Sequence, residues 1–399
     1  MNSNQPTPSK EGVYLDASAT TPVDPLVLAA MEPYWAETFA NPSAPHAWGA
    51  AVEQRIQQCR GFLAQRWGCE PQGVIFTSGG TEANNLALQG SAGLYLEGQH
   101  AVTTAVEHPS VLRVMEYLEA AAGWRVTVLP VEQDGTVTPE AVEAALEPST
   151  RLVSIMQVNN EIGSINPVAA IGECIQVVNQ KRPRSHRIRF HVDAVQAAGK
   201  LPLPTPAEGV DLLSISSHKI GGPKGAGMLL SRTGINLQPL LLGGGQEGGL
   251  RSGTENVPGI VGLTKAFQIV EERRETRAAH LQHAKMMLGE IVRAIPESAF
   301  NSPANGAPHI LNVRFRGVPA EVLVHYLEQE GIMVSVGAAC STRDQSVSHV
   351  LAAIGCSVDD AQTSIRMSFT ADVTNSQVAR VRRYLPAAVA AVRSVYEGS

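Results

Sequence analysis

The chain has 399 residues, 44% of them apolar and 17% charged, and a net charge of −6. That balance describes a globular protein with length for two or three domains, and gives no cause to expect nucleic acid or an anionic membrane as a partner. No apolar run approaches the roughly 18 residues of a membrane span, and five cysteines without a C-x-x-C spacing argue against a disulfide framework or zinc knuckle and for reduced thiols in a cytosol-like compartment.

In chain order, the polar stretch Met1 to Pro6 reads as a frayed end rather than a signal peptide. Residues 73–77 predict a strand and 81–88 a helix, followed by a strand at 101–106, a helix at 109–122 and a strand at 125–129. A helix at 139–146, a strand at 152–158, a helix at 167–179 and strands at 189–192 and 211–215 continue the alternation. Strands and helices alternating on this scale predict a mainly parallel, doubly wound α/β sheet. Near Gly259 the pattern changes to one long amphipathic helix over 260–295, stopped by Pro296. Shorter strands at 310–315 and 332–335 and further helices then predict a smaller α+β domain. The division expected is 21–265 for the large domain, with 1–20 and 266–399 forming the small one. The basic run Lys181 to Arg189 has no interleaved aromatics, contains a proline and leads into a strand, so it reads as a solvated loop rather than a nucleic-acid patch. His280 and His283 read as a solvated helix face rather than metal ligands.

Several strand ends carry polar residues. "FTSGGTEANN" (76–85) is a strand, a glycine turn and a helix start, where free N–H groups can meet a phosphate. Asp193 closes the strand of "FHVDAVQAAGK", with Gln196 three residues later, at the sheet edge where ligands of open α/β folds bind. His108 in "VEHPS" and Asn160 in "VNNEIG" follow two other strands. Lys219, in "SISSHKIGGPKG", ends another and stands before a stiff Gly-Gly-Pro turn. It reads either as a surface lysine or as a Schiff-base lysine, whose amine must lose its proton to react. A phosphate cup, a strand-end acid and a strand-end lysine converging on one edge suit pyridoxal phosphate.

With these motifs the chain resembles the cysteine desulfurases, class V members of the fold-type I pyridoxal-phosphate enzymes. The resemblance spans about Tyr14 to Arg366 and rests most on Ser216-Ser217-His218-Lys219, Arg251-Ser252-Gly253-Thr254 and Gly337-Ala338-Ala339-Cys340. It implies a large domain with a mainly parallel seven-stranded sheet and a smaller α+β domain. Lys219 would be the Schiff-base lysine. Gly80, Thr81, Ser216 and His218 would hold the cofactor phosphate, and Thr254 would reach it from the other subunit of a homodimer. His108 would stack on the pyridine ring and relay protons, Asp193 would pair with the ring nitrogen, and Gln196 would bind the phenolic oxygen. An ion pair at about 4 Å under an effective dielectric of about 20 is on the order of 4 kcal/mol, enough to keep that nitrogen protonated. Asn160 and Arg366 would orient the substrate carboxylate, Arg366 through its two-pronged guanidinium.

Cys340 precedes a polar run without apolar periodicity and then a helix from about His349, the setting of an exposed loop in which a thiol can react. The other four cysteines read as structural. The resemblance thus implies an L-cysteine desulfurase that forms a Cys340 persulfide and L-alanine in the cytoplasm. Its sulfur would pass to acceptor or scaffold proteins for iron-sulfur clusters, tRNA thiolation or sulfur cofactors. No resident metal is implied, and an iron-sulfur cluster would touch Cys340 only in passing. Alternatives on the same fold are a selenocysteine or cystine lyase, an aminotransferase, or an inactive cofactor-binding regulator. Gly221, Thr370 and Ala17 depart from the family pattern, which bears on fine specificity and not on the chemistry.

Overall fold

The computed structural model describes residues 12–95, 97–336 and 348–396. After β1 (Val13–Tyr14) the chain lays down β2 (Val74–Thr77), β3 (His100–Thr104), β4 (Arg125–Leu129), β5 (Thr150–Ser154), β6 (Arg189–Asp193), β7 (Leu212–Ser216) and β8 (Gly227–Ser231). These last seven form one sheet in the order β2-β8-β7-β6-β5-β3-β4. Strands β3 to β7 pair in parallel, and only β8 runs against its neighbours β2 and β7. Every residue of β2, β3, β5, β7 and β8 is buried, as is β6 after its first residue Arg189, which is why these strands read as continuous runs rather than alternating ones. β4 lies at the sheet edge and is the partly exposed exception.

Then follow β9 (Ser298–Phe300), β10 (Ile310–Phe315), β11 (Ile332–Met333), β12 (Ser335–Val336) and β13 (Ser364–Ser368). Four of them form an antiparallel sheet in the order β12-β13-β10-β9, while β1 pairs with β11. The expected strand over 332–335 is therefore two short strands in different sheets, because Val334 between them belongs to neither. The largest hydrophobic core packs the main sheet against helices such as Ala47–Trp67 and Val257–Glu272. A second core gathers Val13 and Leu15 with β10, β13 and the helices Arg274–Arg293 and Asn375–Tyr396.

The single long helix expected over 260–295 is two, broken at Arg273. No glycine or proline marks the break. Its cause is packing: Ile260, Leu263, Phe267 and Val270 belong to the first core, whereas Leu281, Leu288, Ile291 and Val292 belong to the second. A straight helix presents one continuous stripe, and two cores in different directions require a bend. The sequence reading also missed the helix Ala47–Trp67 and strand β8, whose five residues follow a glycine-rich turn.

β8 presses closely on the turn that opens the helix Gly80–Ala92. A Cβ on Gly227 would stand 2.6 Å from both Cα and C of Gly79, a distance no packed carbon tolerates. Gly227→Ala should therefore cost about 1–3 kcal/mol and lower the urea unfolding midpoint. Gly61→Ala, in the interior of a helix with nothing within 4 Å of the new carbon, should add up to about 1 kcal/mol of stability and raise that midpoint. Equal midpoints for the two variants would contradict this packing.

Candidate active site

The parallel strands deliver their carboxyl ends to one edge, and there a cavity of about 350 Å³ opens. Of the residues singled out in the sequence, Gly80, Thr81, His108, Asn160 and Asp193 line it, as do Gln196, Ser216, His218, Lys219 and Arg366. Thr254 does not line it and is exposed. Cys340 lies outside the described residues, together with the glycine and serine neighbours of its motif.

Lys219 ends the one-turn helix Ser217–Lys219 that follows β7. Its Nζ donates to the carbonyls of Ser18 and, at 2.6 Å, Ala19. Neighbouring His218 is pushed down to about 4, first by burial and then by the charges of Lys219, Lys224 and Lys200. Its imidazole is thus neutral near pH 7, with Nδ1 3.1 Å from the Thr20 hydroxyl.

Asp193 is buried at the end of β6, where its two oxygens accept from Asn84 Nδ2 at 2.8 Å and from the Val195 N–H at 3.0 Å. The same Asn84 nitrogen donates to Ser110 Oγ, which lies 2.8 Å from His108 Nδ1. His108 caps the helix Pro109–Ala121, its Nδ1 accepting from the Ser110 N–H. The neutral ring therefore carries its proton on Nε2. Burial lowers the His108 pKa, Asp193 opposes that shift, and Lys219 and His349 add to it.

Arg366, buried on β13, donates from Nη2 to Asp16 Oδ1 at 2.8 Å and from Nη1 to the Asn160 carbonyl at 3.1 Å, which leaves a buried Nε without a partner among the described residues. Gln196 Nε2 donates to the Ser18 carbonyl at 3.1 Å. The sequence reading had not singled out Asn84, Ser110, Asp16 or Ser18 as site residues. Asn84 had a usable signal, because it stands four residues after Gly80 on the same helix and so shares its face.

The donors present suit pyridoxal phosphate. Gly80 opens a 13-residue helix whose first N–H groups have no partner within the helix. A Cβ at Gly80 would stand 2.8 Å from Val195 Cγ2, so only glycine keeps that backbone open. A doubly hydrogen-bonded carboxylate, a hydroxyl at Ser216 and an amine at Lys219 border the same cavity. Among the described residues no group of three His, Cys, Asp or Glu is placed to hold a metal, and no helix is long and apolar enough to cross a membrane.

Comparisons with known proteins place the chain in a family. The family model of class-V aminotransferases matches residues 13–381. The putative cysteine desulfurase IscS 1 of Bacillus subtilis (strain 168) is 40% identical over 379 residues, covering 94% of this chain and 98% of its own. A solved NifS-like protein superposes with a TM-score of 0.86 at 33% identity, covering 97% of this chain and 100% of that one. A structure of SspA in complex with cysteine follows at 0.78 and 35%, covering 90% and 99%. The chain therefore belongs to the class-V aminotransferase family, as a member of its cysteine desulfurases. Its fold is that of the fold-type I pyridoxal-phosphate enzymes.

Beside this site Glu107 is fully buried, and burial pushes its carboxyl up to about 8. Oε1 accepts from the Thr104 hydroxyl at 2.8 Å and the Met156 N–H at 2.9 Å, while Oε2 has no partner among the described residues. Since folding raises this pKa, the stability linked to it is full below the unfolded value of about 4.5 and is lost as pH rises through about 8. Glu107→Gln imitates the protonated carboxyl and should flatten the fall of the urea midpoint across that window. An unchanged slope would show that Glu107 is ionised in the folded chain.

Proposed function

We propose that the chain is an L-cysteine desulfurase that holds pyridoxal 5'-phosphate on Lys219 and receives sulfur on Cys340. The observation that supports it most is convergence: four strands of the main sheet and one of the smaller sheet bring a lysine, an aspartate, a histidine, an arginine and a helix N-terminus to one cavity. When bound, the cofactor would supply an electron sink for the substrate α-carbon. The Gly80–Thr81 backbone, Ser216 and neutral His218 would bind its phosphate as hydrogen-bond donors. Asp193, fixed by Asn84 and Val195, would keep the ring nitrogen protonated, and Gln196 would bind the phenolic oxygen.

Arg366 would take the substrate carboxylate with its unpartnered Nε and its remaining N–H groups, beside Asn160. Asp16, already paired with Nη2, holds the guanidinium in place for that task. Lys219 Nζ would move the α-proton, with His108 as a relay through its Nε2 proton. The Cys340 thiolate would then attack the substrate sulfur. An S–S bond forms as the C–S bond breaks, leaving a persulfide on Cys340 and, after proton return, L-alanine.

The exposed position of Thr254 outside the cavity supports the homodimer reading, in which it serves the neighbouring subunit's site. Free thiols at Cys59, Cys69, Cys174 and Cys356 support a reducing, cytoplasmic setting. The persulfide would pass to acceptor or scaffold proteins for iron-sulfur clusters, thiolated tRNA or sulfur cofactors, with an iron-sulfur cluster touching Cys340 only transiently. The large domain would carry the cofactor, and the small one the Cys340 loop.

Two variants separate proton chemistry from sulfur chemistry. Lys219→Ala removes the base and should slow both alanine release and persulfide formation by at least about 10²–10⁴-fold. Cys340→Ser should keep the visible spectral response to L-cysteine but lose persulfide and turnover, because a hydroxyl cannot accept sulfur as a thiolate does. If Cys340→Ser released alanine and sulfide at the wild-type rate, the persulfide mechanism would be wrong.

A further inference from the structure

Lys219 also borders a second cavity, of about 310 Å³, separate from the one that holds Asp193 and Arg366. It lies where the two hydrophobic cores meet, with Ile269 and Val270 of the first core and Leu281 and Phe369 of the second among its walls. Besides Lys219, three nitrogen-bearing side chains enter it, and among the described residues none of the three is ion-paired to a carboxylate. Lys200 Nζ donates to the Lys219 carbonyl at 2.9 Å, a partner without charge. Arg277 makes no ion pair among the described residues, and its buried Nε has no hydrogen-bond partner. His309 is 1% exposed, its Nε2 lies 3.3 Å from Gln196 Oε1, and its Nδ1 has no partner among the described residues. Two carboxylates reach the same walls, but Asp24 is committed to capping a helix through the Leu26 N–H and Asp372 is exposed.

The geometry points to a binding site for a small organic carboxylate with an apolar body, its charge met by Arg277 and Lys200 and its carbon chain by the apolar walls. A guanidinium fork and an ammonium are the groups that bind carboxylates best. Apolar walls with a few convergent polar groups are the usual make-up of a small-molecule site. The protonation of Lys200 is consistent with a missing counter-charge, since burial and then the charges of Lys219 and Arg277 bring its amine down to about 7. A carboxylate would supply that counter-charge and would also let His309 Nδ1 take a proton and donate. Through Lys200 the occupant would be one hydrogen bond from the Lys219 backbone, and through His309 one from Gln196. The inference stands on these residues and does not depend on the chemistry assigned to Lys219 or Cys340.

The test is calorimetric titration of the holoenzyme with sodium hexanoate in a fixed chloride background, with hexanamide as the uncharged probe. One hexanoate per chain should bind, and hexanamide should bind at least about tenfold more weakly. Arg277→Met and Lys200→Met should each weaken hexanoate at least about tenfold, the factor expected when a charged hydrogen bond is lost. Each variant is scored only with the cofactor absorption and near-ultraviolet circular dichroism of the parent, so a folding defect is not mistaken for lost binding. Arg366→Met should leave hexanoate affinity unchanged, because it alters the other cavity. Equal binding of hexanoate and hexanamide, unchanged affinity in both folded variants, or a loss confined to Arg366→Met would each overturn the proposal.

Discussion

The parallel alignment of β3, β5, β6 and β7 is the constraint on which the site depends. Each strand is buried on both faces, so a slip of one residue would move a different set of side chains against each helix layer. With the register held, the residues just past each strand meet at one edge. His108, Asn160, Asp193 and Lys219 arrive there from four separate stretches of chain. The segment Asp16 to Thr21 closes the arrangement from the other side. The Ser18 carbonyl accepts from Lys219 and Gln196, the Ser18 N–H donates to Ser368 Oγ at 2.8 Å, and Asp16 holds Arg366. The second core and the active-site cavity are thus tied by one short strand of backbone.

Burial within this frame sorts the titratable groups. The His218 imidazole is held neutral and the Glu107 carboxyl protonated, both chiefly by loss of water. Asp193 accepts hydrogen bonds from two N–H donors, one on each oxygen, which fix its orientation. Burial thus strips charge from selected groups around the cavity. The cost of this selectivity is carried by the surrounding sheet, whose buried polar strand residues find partners across strands. His191, for example, lies 2.8 Å from Ser154 Oγ and 2.9 Å from Ser214 Oγ.

Much of this was legible in the sequence, for reasons that differ by residue. Strands β5, β6 and β7 stood out as apolar runs, and the polar residues closing them pointed to the edge where ligands bind. Asn84 and Ser110 did not stand out, because each acts through another side chain and neither interrupts the helical pattern around it. Strand β8 was hidden by the glycines before it. The break at Arg273 was hidden because its cause is the direction of two cores, which no local pattern of Glu and Arg encodes. The dependence of Arg366 on Asp16 joins residues 350 positions apart, a distance that single-sequence patterning does not bridge.

The most direct measurement of the central claim is borohydride reduction of the yellow holoenzyme followed by peptide mapping. The account predicts one reduced pyridoxyl group per chain, attached to Lys219. Lys200, which donates to the Lys219 carbonyl, and Lys224, at the end of the following turn, are the nearest alternatives in space and in sequence. A label on either of them would contradict the account.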